Sequence, residues 1–232
     1  MAEFGDQGWN SEISPIRDKV FEYIKNAILR GEYKSGDRIV ERELAEKLNI
    51  SRTPIREALF RLESVGFVKT MPRKGVVVSK MTTEEIVEVF TILSTLESLA
   101  VRLATEKLNA EHRQNLENLI EAINEALAGD LNDRDYSQFH LEMRDTIHLA
   151  AQSPRLYEIL KSQIEYIRAF AFVSHETSER RRRAFEEHRD IAEAIKEGNA
   201  SLAEELAQLH IENSKQSYLE SLEKMIGTSK ES

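Results

Sequence analysis

Two sets of side chains in this 232-residue chain have the types and spacing to do chemistry. The first is basic. Arg52 and Arg56 lie four residues apart, with Ser51 and Thr53 beside them, Arg38 upstream and Arg73-Lys74-Gly75 downstream. Side chains four apart share one face of a helix. A guanidinium can donate two parallel hydrogen bonds to guanine O6 and N7, a pairing that discriminates by about 1–3 kcal/mol. Ser51 and Thr53 can donate to phosphate, as can the amides of a helix start. The second is the run His140, Arg144 and His148, spaced by fours and so on one helix face, in a chain of six histidines. Imidazoles converging from several helices suit a divalent metal such as Zn or Ni. Arg144 cannot coordinate a cation, but it can hold a carboxylate bidentately. His112 and His175 lack such company and read as ordinary solvated side chains.

The elements around the basic set follow from caps and periodicity. Ser14-Pro15 predicts a helix start, with Ser14 as cap, and Gly31 its end. Residues 41–48 form the next helix, with Leu44, Ala45 and Leu48 inward. Asn49 lies where a left-handed residue turns the chain. Thr53 is expected to cap the following helix, with Pro54 at its first position and Ile55, Ala58, Leu59 and Leu62 as its buried stripe. Residues 67–71 and 75–79 are β-prone and joined by Pro72-Arg73-Lys74, a hairpin. Arg73 and Lys74 at its tip, with Gly75 permitting close approach, can enter a minor groove. Arg61 and Lys69 read as solvated or phosphate-facing.

After Lys80 the pattern is helical throughout. Thr82 with Glu85 forms a capping box for a helix to about residue 108. Further helices are expected over 109–128, 133–152, 153–173, 178–196 and 199–225, six in all. The fold class is therefore mostly α: a winged helix-turn-helix of three helices plus a β-hairpin wing, followed by an all-α helical bundle. The expected organisation is a disordered lead-in over 1–13, a DNA-binding domain over 14–80, an all-helical domain over 81–226, and a tail over 227–232.

The charge distribution separates the same two regions. The net charge of −9 conceals a basic stretch. Residues 15–80 carry 15 Lys and Arg against 9 Asp and Glu, whereas residues 81–232 carry 17 against 29. One part suits a polyanion and the other does not. The chain has no cysteine, which excludes a disulfide framework or thiolate metal site and fits a reducing cytosol. No apolar run approaches the roughly 20 residues that span a bilayer, and the polar, acidic start is wrong for a signal peptide. A cytoplasmic protein without a membrane partner is expected.

The segment GDRIVERELAEKLNISRTPIREALFRLESVGFVKTMPRKGVVV closely resembles the DNA-binding domain of the GntR family of bacterial transcription regulators. The telling residues are Gly36-Asp37-Arg38, Leu44-Ala45, the run from Ser51 to Leu59, Gly66 and Gly75. The resemblance assigns DNA contacts to Arg38, Arg52, Thr53, Arg56 and Gly75, with Lys74 at the wing tip. The remainder resembles the FCD-type effector domain of the FadR branch. It does so through Leu96-Glu97, Ser153-Pro154-Arg155-Leu156, Glu187-His188-Arg189, Ala194-Ile195, Gly198-Asn199 and His210. That branch commonly holds a divalent metal with one Asp and three His. Here His188 and His210 match the last two ligands, His140 stands at the Asp position and Arg144 at the first His position. The resemblance thus leaves His140, His188 and His210 as the metal set, with His148 or Asp135 as alternative members. Leu93 stands where many acid-sensing relatives have arginine, so Arg144, with His148, is the expected effector partner.

Together these readings imply a homodimeric, ligand-responsive repressor of a double-stranded, pseudo-palindromic operator. Its effector is expected to be a small carboxylate. The alternative is a metal-dependent hydrolase on a helical bundle fused to a DNA-binding domain, although no general base pairs convincingly with an open metal position.

Overall fold

The structure, a computed structural model, describes residues 15–129, 133–170 and 177–228, with side chains throughout except at 133–137 and 224–228. The lead-in, His175, the side chain of Asp135 and the last residues of the tail lie outside the described residues. The chain divides into two compact units, Met1–Lys80 and Met81–Ser232.

The first unit holds α1 (Ile16–Leu29), β1 (Arg38–Ile39), α2 (Glu41–Leu48), α3 (Arg52–Ser64), β2 (Val68–Met71) and β3 (Gly75–Val78). Val20, Ile24, Ala27 and Ile28 of α1 are buried, as are Ile55, Ala58, Leu59 and Leu62 of α3. These are the stripes that helical spacing demands. Arg61 is exposed, as expected, and it also pairs with Asp18 and lies over the Phe21 ring at 4.5 Å, joining α3 to α1. Asn49 has φ 52°, and the Ile50 amide donates back to the Ala45 carbonyl. This is the left-handed stop that ends α2 ahead of α3.

Two expectations need correction here. The cap of α3 is Ser51, not Thr53, and the helix begins at Arg52. Pro54 therefore occupies the third position rather than the first. It is tolerated there because the early amides of a helix have no intrahelical acceptor. The sheet also has a third strand, in the order β1-β3-β2, all antiparallel. Arg38 pairs with Val77 and Ile39 with Val76. A two-residue strand is too short to show alternation, so only its partner reveals it. At the wing tip the Lys74 amide donates to the Met71 carbonyl. Arg73, after Pro72, has φ 65°, the positive value a type II turn needs at that position.

The second unit comprises α4 (Thr83–Glu106), α5 (Ala110–Ala128), α6 (Asp133–Ala150), α7 (Pro154–Phe170), α8 (Ser178–Lys196) and α9 (Ala200–Thr228). The Thr82–Glu85 capping box is formed in both directions. The Asn109 side chain accepts from the His112 amide at the start of α5. Helix α6 ends at Ala150, two residues short of expectation, because Gln152 turns left-handed at φ 47°. Lys107 Nζ then donates to the Ala151 and Gln152 carbonyls. Helix α4 packs along α9 and also meets α6, α7 and α8, while α5 packs on α6 and α8. Leu93, Leu116, Ile123, Met143, Leu160, Ile195 and Ile211 fill the space between them. Leu93 is part of this core and presents no polar group to a ligand. Among the described residues no helix is long and apolar enough to cross a membrane.

Candidate nucleic-acid interface and histidine centre

The start of α3 projects Arg52 and Arg56 from one side, as their spacing requires. They are 59% and 68% exposed. They share a concave surface with Arg38, Arg42, Phe60, Thr70 and Gly75. Gly75, at φ 79°, is where the wing passes Arg38. A Cβ there would stand 3.6 Å from Arg38 Nε, in van der Waals contact, on a backbone that side chains adopt at a cost. Arg73 and Lys74 lie outside the concave surface, at the turn. Ser51 and Thr53 are exposed beside Arg52. Two members of this surface give no signal in the sequence alone. Phe60 is 72% exposed, one turn beyond Arg56. Glu41 accepts on Oε2 from Arg52 Nη2 at 3.1 Å and from Arg56 Nη2 at 3.0 Å. Hydrogen bonding from Arg56 holds the Glu41 carboxyl below the usual range; burial opposes it, and Arg52 adds to the lowering.

In the second unit, α6, α8 and α9 bring His140, His188 and His210 together. One ring nitrogen from each lies within 4.8 Å of the others. The ring centroids are 4.9 Å apart for His140–His188 and 4.3 Å for His188–His210. Their tautomers follow from their partners. His188 Nδ1–H donates to the Ala184 carbonyl at 2.7 Å, since a carbonyl only accepts. His210 Nδ1–H donates to Glu187 Oε2 at 2.6 Å. In both rings Nε2 is left with its lone pair. Burial pushes the His140 and His188 pKa values well below the ordinary range, and nearby Arg144 adds to this. Burial also lowers that of His210, against the pull of Glu187. The rings are thus neutral at pH 7, the form that can coordinate. Three neutral imidazoles, two of them oriented from behind, make a donor set that fits Zn or a similar borderline ion.

Arg144, one turn from His140 on α6, completes the centre. Its Nη2 lies 3.4 Å from His210 Nε2, and its Nη1 lies 3.9 Å from Glu97 Oε1. Glu97 Oε2 accepts from His148 Nε2–H at 2.7 Å. His148 therefore lines the same cavity, but its Nε2 is spent on Glu97, and it stands apart from the three-histidine group. Burial pushes the Glu97 pKa up, but His148, Arg144 and His210 outweigh it and hold the carboxyl at about 2. Glu97 Oε1 and Arg144 Nε accept or donate no hydrogen bond among the described residues. The cavity itself, lined by Glu97, Arg144, His148, His188 and His210, is small: its free volume is about 10 Å³, room for about one water. Behind His210, Arg180 grips Glu187 Oε2 through both terminal nitrogens at 3.1 Å, and Asn213 donates to Oε1 at 2.8 Å. Glu97, Glu187 and Arg180 are the members of this centre that spacing did not single out. Glu187 precedes His188 in sequence, yet it serves the other histidine.

A winged helix-turn-helix carrying arginines at the start of its second motif helix, followed by a helical unit with a buried polar centre, defines a DNA-binding regulator with a sensing unit. The comparisons agree. The sequence profile described as bacterial regulatory proteins, gntR family, matches residues 16–78, and that of the FCD domain matches residues 88–213. The HTH-type transcriptional regulator YdhC of Bacillus subtilis is 26% identical over 197 residues, 85% of this chain and 88% of that one. The Nta operon transcriptional regulator of Aminobacter aminovorans is 29% identical over 166 residues, 70% and 75% of the two chains. The solved structure of McbR/YncC from Escherichia coli shares the fold, with a TM-score of 0.71 and 23% identity, covering 90% of this chain and all of that one. The chain belongs to the GntR family of bacterial transcription regulators and carries an FCD domain. That membership sets aside the hydrolase alternative.

Proposed function

We propose that this protein is a homodimeric repressor. In this reading two α3 helices enter successive major grooves of a pseudo-palindromic operator, with half-sites one helical turn, about 34–36 Å, apart. Arg52 and Arg56 read guanines. Arg38, Ser51 and Thr53 hold phosphates, and Arg73, Lys74 and Gly75 follow the minor groove. Phe60 adds an apolar surface suited to a thymine methyl.

The observation that carries the sensing half is the Arg144–His210 contact. A cation on His140, His188 and His210 and the Arg144 guanidinium cannot both use the His210 Nε2 lone pair. Glu97 Oε1, 3.9 Å from Arg144 Nη1 and accepting no hydrogen bond among the described residues, offers Arg144 a second resting place. An ion of the Zn or Ni type held by the three histidines would supply Lewis acidity for an anionic ligand, and Arg144 would meet that ligand's carboxylate. His148 keeps Glu97 ionised. Only Ser79 to Thr82 separate β3 from α4, the helix that carries Glu97. A shift of α4 is therefore the shortest covalent route from this centre to the wing. The effector regulates DNA binding only if it prefers one arrangement of the two heads over the other.

The test is a selection of binding duplexes from a random library by the full-length protein, followed by footprinting with and without Zn, Ni and a panel of small organic acids. Elemental analysis of protein purified without chelator runs beside it. A sequence-specific footprint that one of these ligands weakens supports the reading. A footprint indifferent to every ligand, on protein that carries no metal, refutes the sensing half.

A further inference from the structure

Glu41 opens α2, eleven residues before Arg52 and fifteen before Arg56 in the sequence. Its carboxylate is 23% exposed, far less than either arginine. Oε2 is shared between the two Nη2 groups, and Oε1 takes Arg56 Nε at 3.4 Å. The other acidic group of this surface, Glu63, is engaged elsewhere: it accepts from the Thr70 amide and hydroxyl at 2.7 and 3.0 Å. One carboxylate thus faces two guanidiniums. On Arg56 it occupies the side edge, Nε and Nη2, while Nη1 makes no hydrogen bond among the described residues and the side chain is 68% exposed.

We propose that Glu41 is a specificity-determining residue that acts through Arg52 and Arg56: it binds them into a single fork and cancels half of their charge, which penalises non-operator DNA. The inference rests on the DNA-reading role given above to the two arginines. Non-specific binding is driven by neutralising phosphates and releasing their counterions. A phosphate offers charge and no fixed pattern of acceptors, so an arginine must abandon Glu41 to gain its full value there. Guanine offers two aligned acceptors, O6 and N7, which the end edge of Arg56, Nη1 and Nη2, can meet while its side edge stays on Glu41. The carboxylate therefore costs more on random sequence than on the operator. It also fixes the azimuth of both guanidiniums before DNA arrives, which a long free side chain would otherwise give up in entropy.

An acidic residue in the first turn of a helix also steadies the helix dipole. Glu43 occupies that same turn of α2 without touching either arginine. It is the control for that ordinary role and for bulk charge. The experiment measures the affinity of full-length wild-type, Glu41→Gln and Glu43→Gln proteins for a duplex selected from a random library and for a scrambled duplex of equal length, between 50 and 200 mM salt. Glu41→Gln restores one cationic charge to the pair for phosphates. The log–log salt slope on the scrambled duplex should steepen by about 0.9, which over this fourfold range amounts to roughly three- to fourfold. Affinity for the scrambled duplex should rise more than that for the selected one, narrowing the ratio between them, while Glu43→Gln leaves slope and ratio near wild type. An unchanged slope and ratio in Glu41→Gln overturns the proposal, as does an equal change in both variants. If wild-type protein selects no sequence at all, the DNA-reading role fails first and takes this inference with it.

Discussion

Replacing Glu187 with glutamine keeps the shape of the side chain and removes its charge, just behind the candidate metal set. Glu187 Oε2 accepts from His210 Nδ1 at 2.6 Å and from Arg180 twice at 3.1 Å, and Oε1 accepts from Asn213 at 2.8 Å. Glutamine can still present one oxygen to His210 and Arg180, and Asn213 can rotate its amide to match, so the packing survives. The basicity that the carboxylate lends to His210 Nε2 does not. Loss of such an outer partner costs about 10–100-fold in metal affinity, or roughly 1.4–2.7 kcal/mol. At free ion of 100 times the wild-type Kd, binding stabilises the wild-type protein by about 2.7 kcal/mol; the same ion concentration would stabilise the variant by only about 0.4–1.4 kcal/mol. With about 2–4 °C per kcal/mol for a unit of this size, the ion-induced rise in Tm falls from roughly 5–11 °C to roughly 1–6 °C. Competition with a chromophoric chelator gives the Kd directly, and melting with and without Zn or Ni gives the shift, each protein referred to its own metal-free Tm. Equal Zn and Ni affinities in wild type and Glu187→Gln would refute the assignment of Glu187 as the group that orients a metal ligand.

Three further outcomes are expected. Arg56→Ala should lose about 1–3 kcal/mol of discrimination and relax base preference at one position per half-site; an unchanged selected sequence would remove Arg56 from the base-reading role. Glu97 has a folded pKa of about 2 against an ordinary value of 4.5. Its contribution to stability is therefore complete above pH 4.5 and is lost as pH falls from there towards 2. Urea melts from pH 7 to 3 should show that loss, Glu97→Gln should flatten it, and an identical acid profile in the two proteins would contradict the pairing with His148 and Arg144. Asn49→Ala should cost about 1–2 kcal/mol because the residue sits at φ 52°, whereas Asn49→Gly should be close to neutral in the same denaturant midpoint assay.

Much of the fold is legible from the chain because its signals are local. Caps and breakers act within one turn, so the Thr82–Glu85 box, the Asn109 cap, the Asn49 turn and the bounds of α2 and α8 could be read from neighbours. Where local signals compete, reading shifts: Thr53-Pro54 looks like a helix start, but α3 already begins after Ser51. Pro54 is tolerated at its third position because an early amide has no intrahelical acceptor, so its missing N–H costs no bond. The two-residue strand β1 carries no period and exists only through its pairing with β3.

The sites divide along the same line. The sequence by itself determined which side chains share a face: Arg52 with Arg56, and His140 with Arg144 and His148, because a helix repeats about every four residues. Only the tertiary structure decided which faces meet and what each polar group meets there. It set Glu41 against both arginines, Glu97 against His148 across 51 residues of chain, and Glu187 against His210 across 23. It also turned His148 towards a carboxylate and away from the other three rings, and brought Arg144 to the lone pair of His210. The physical reason is that helical spacing specifies an angle around one axis, whereas ion pairs and coordination depend on the separation between axes. That separation is set by packing among residues distant in the chain.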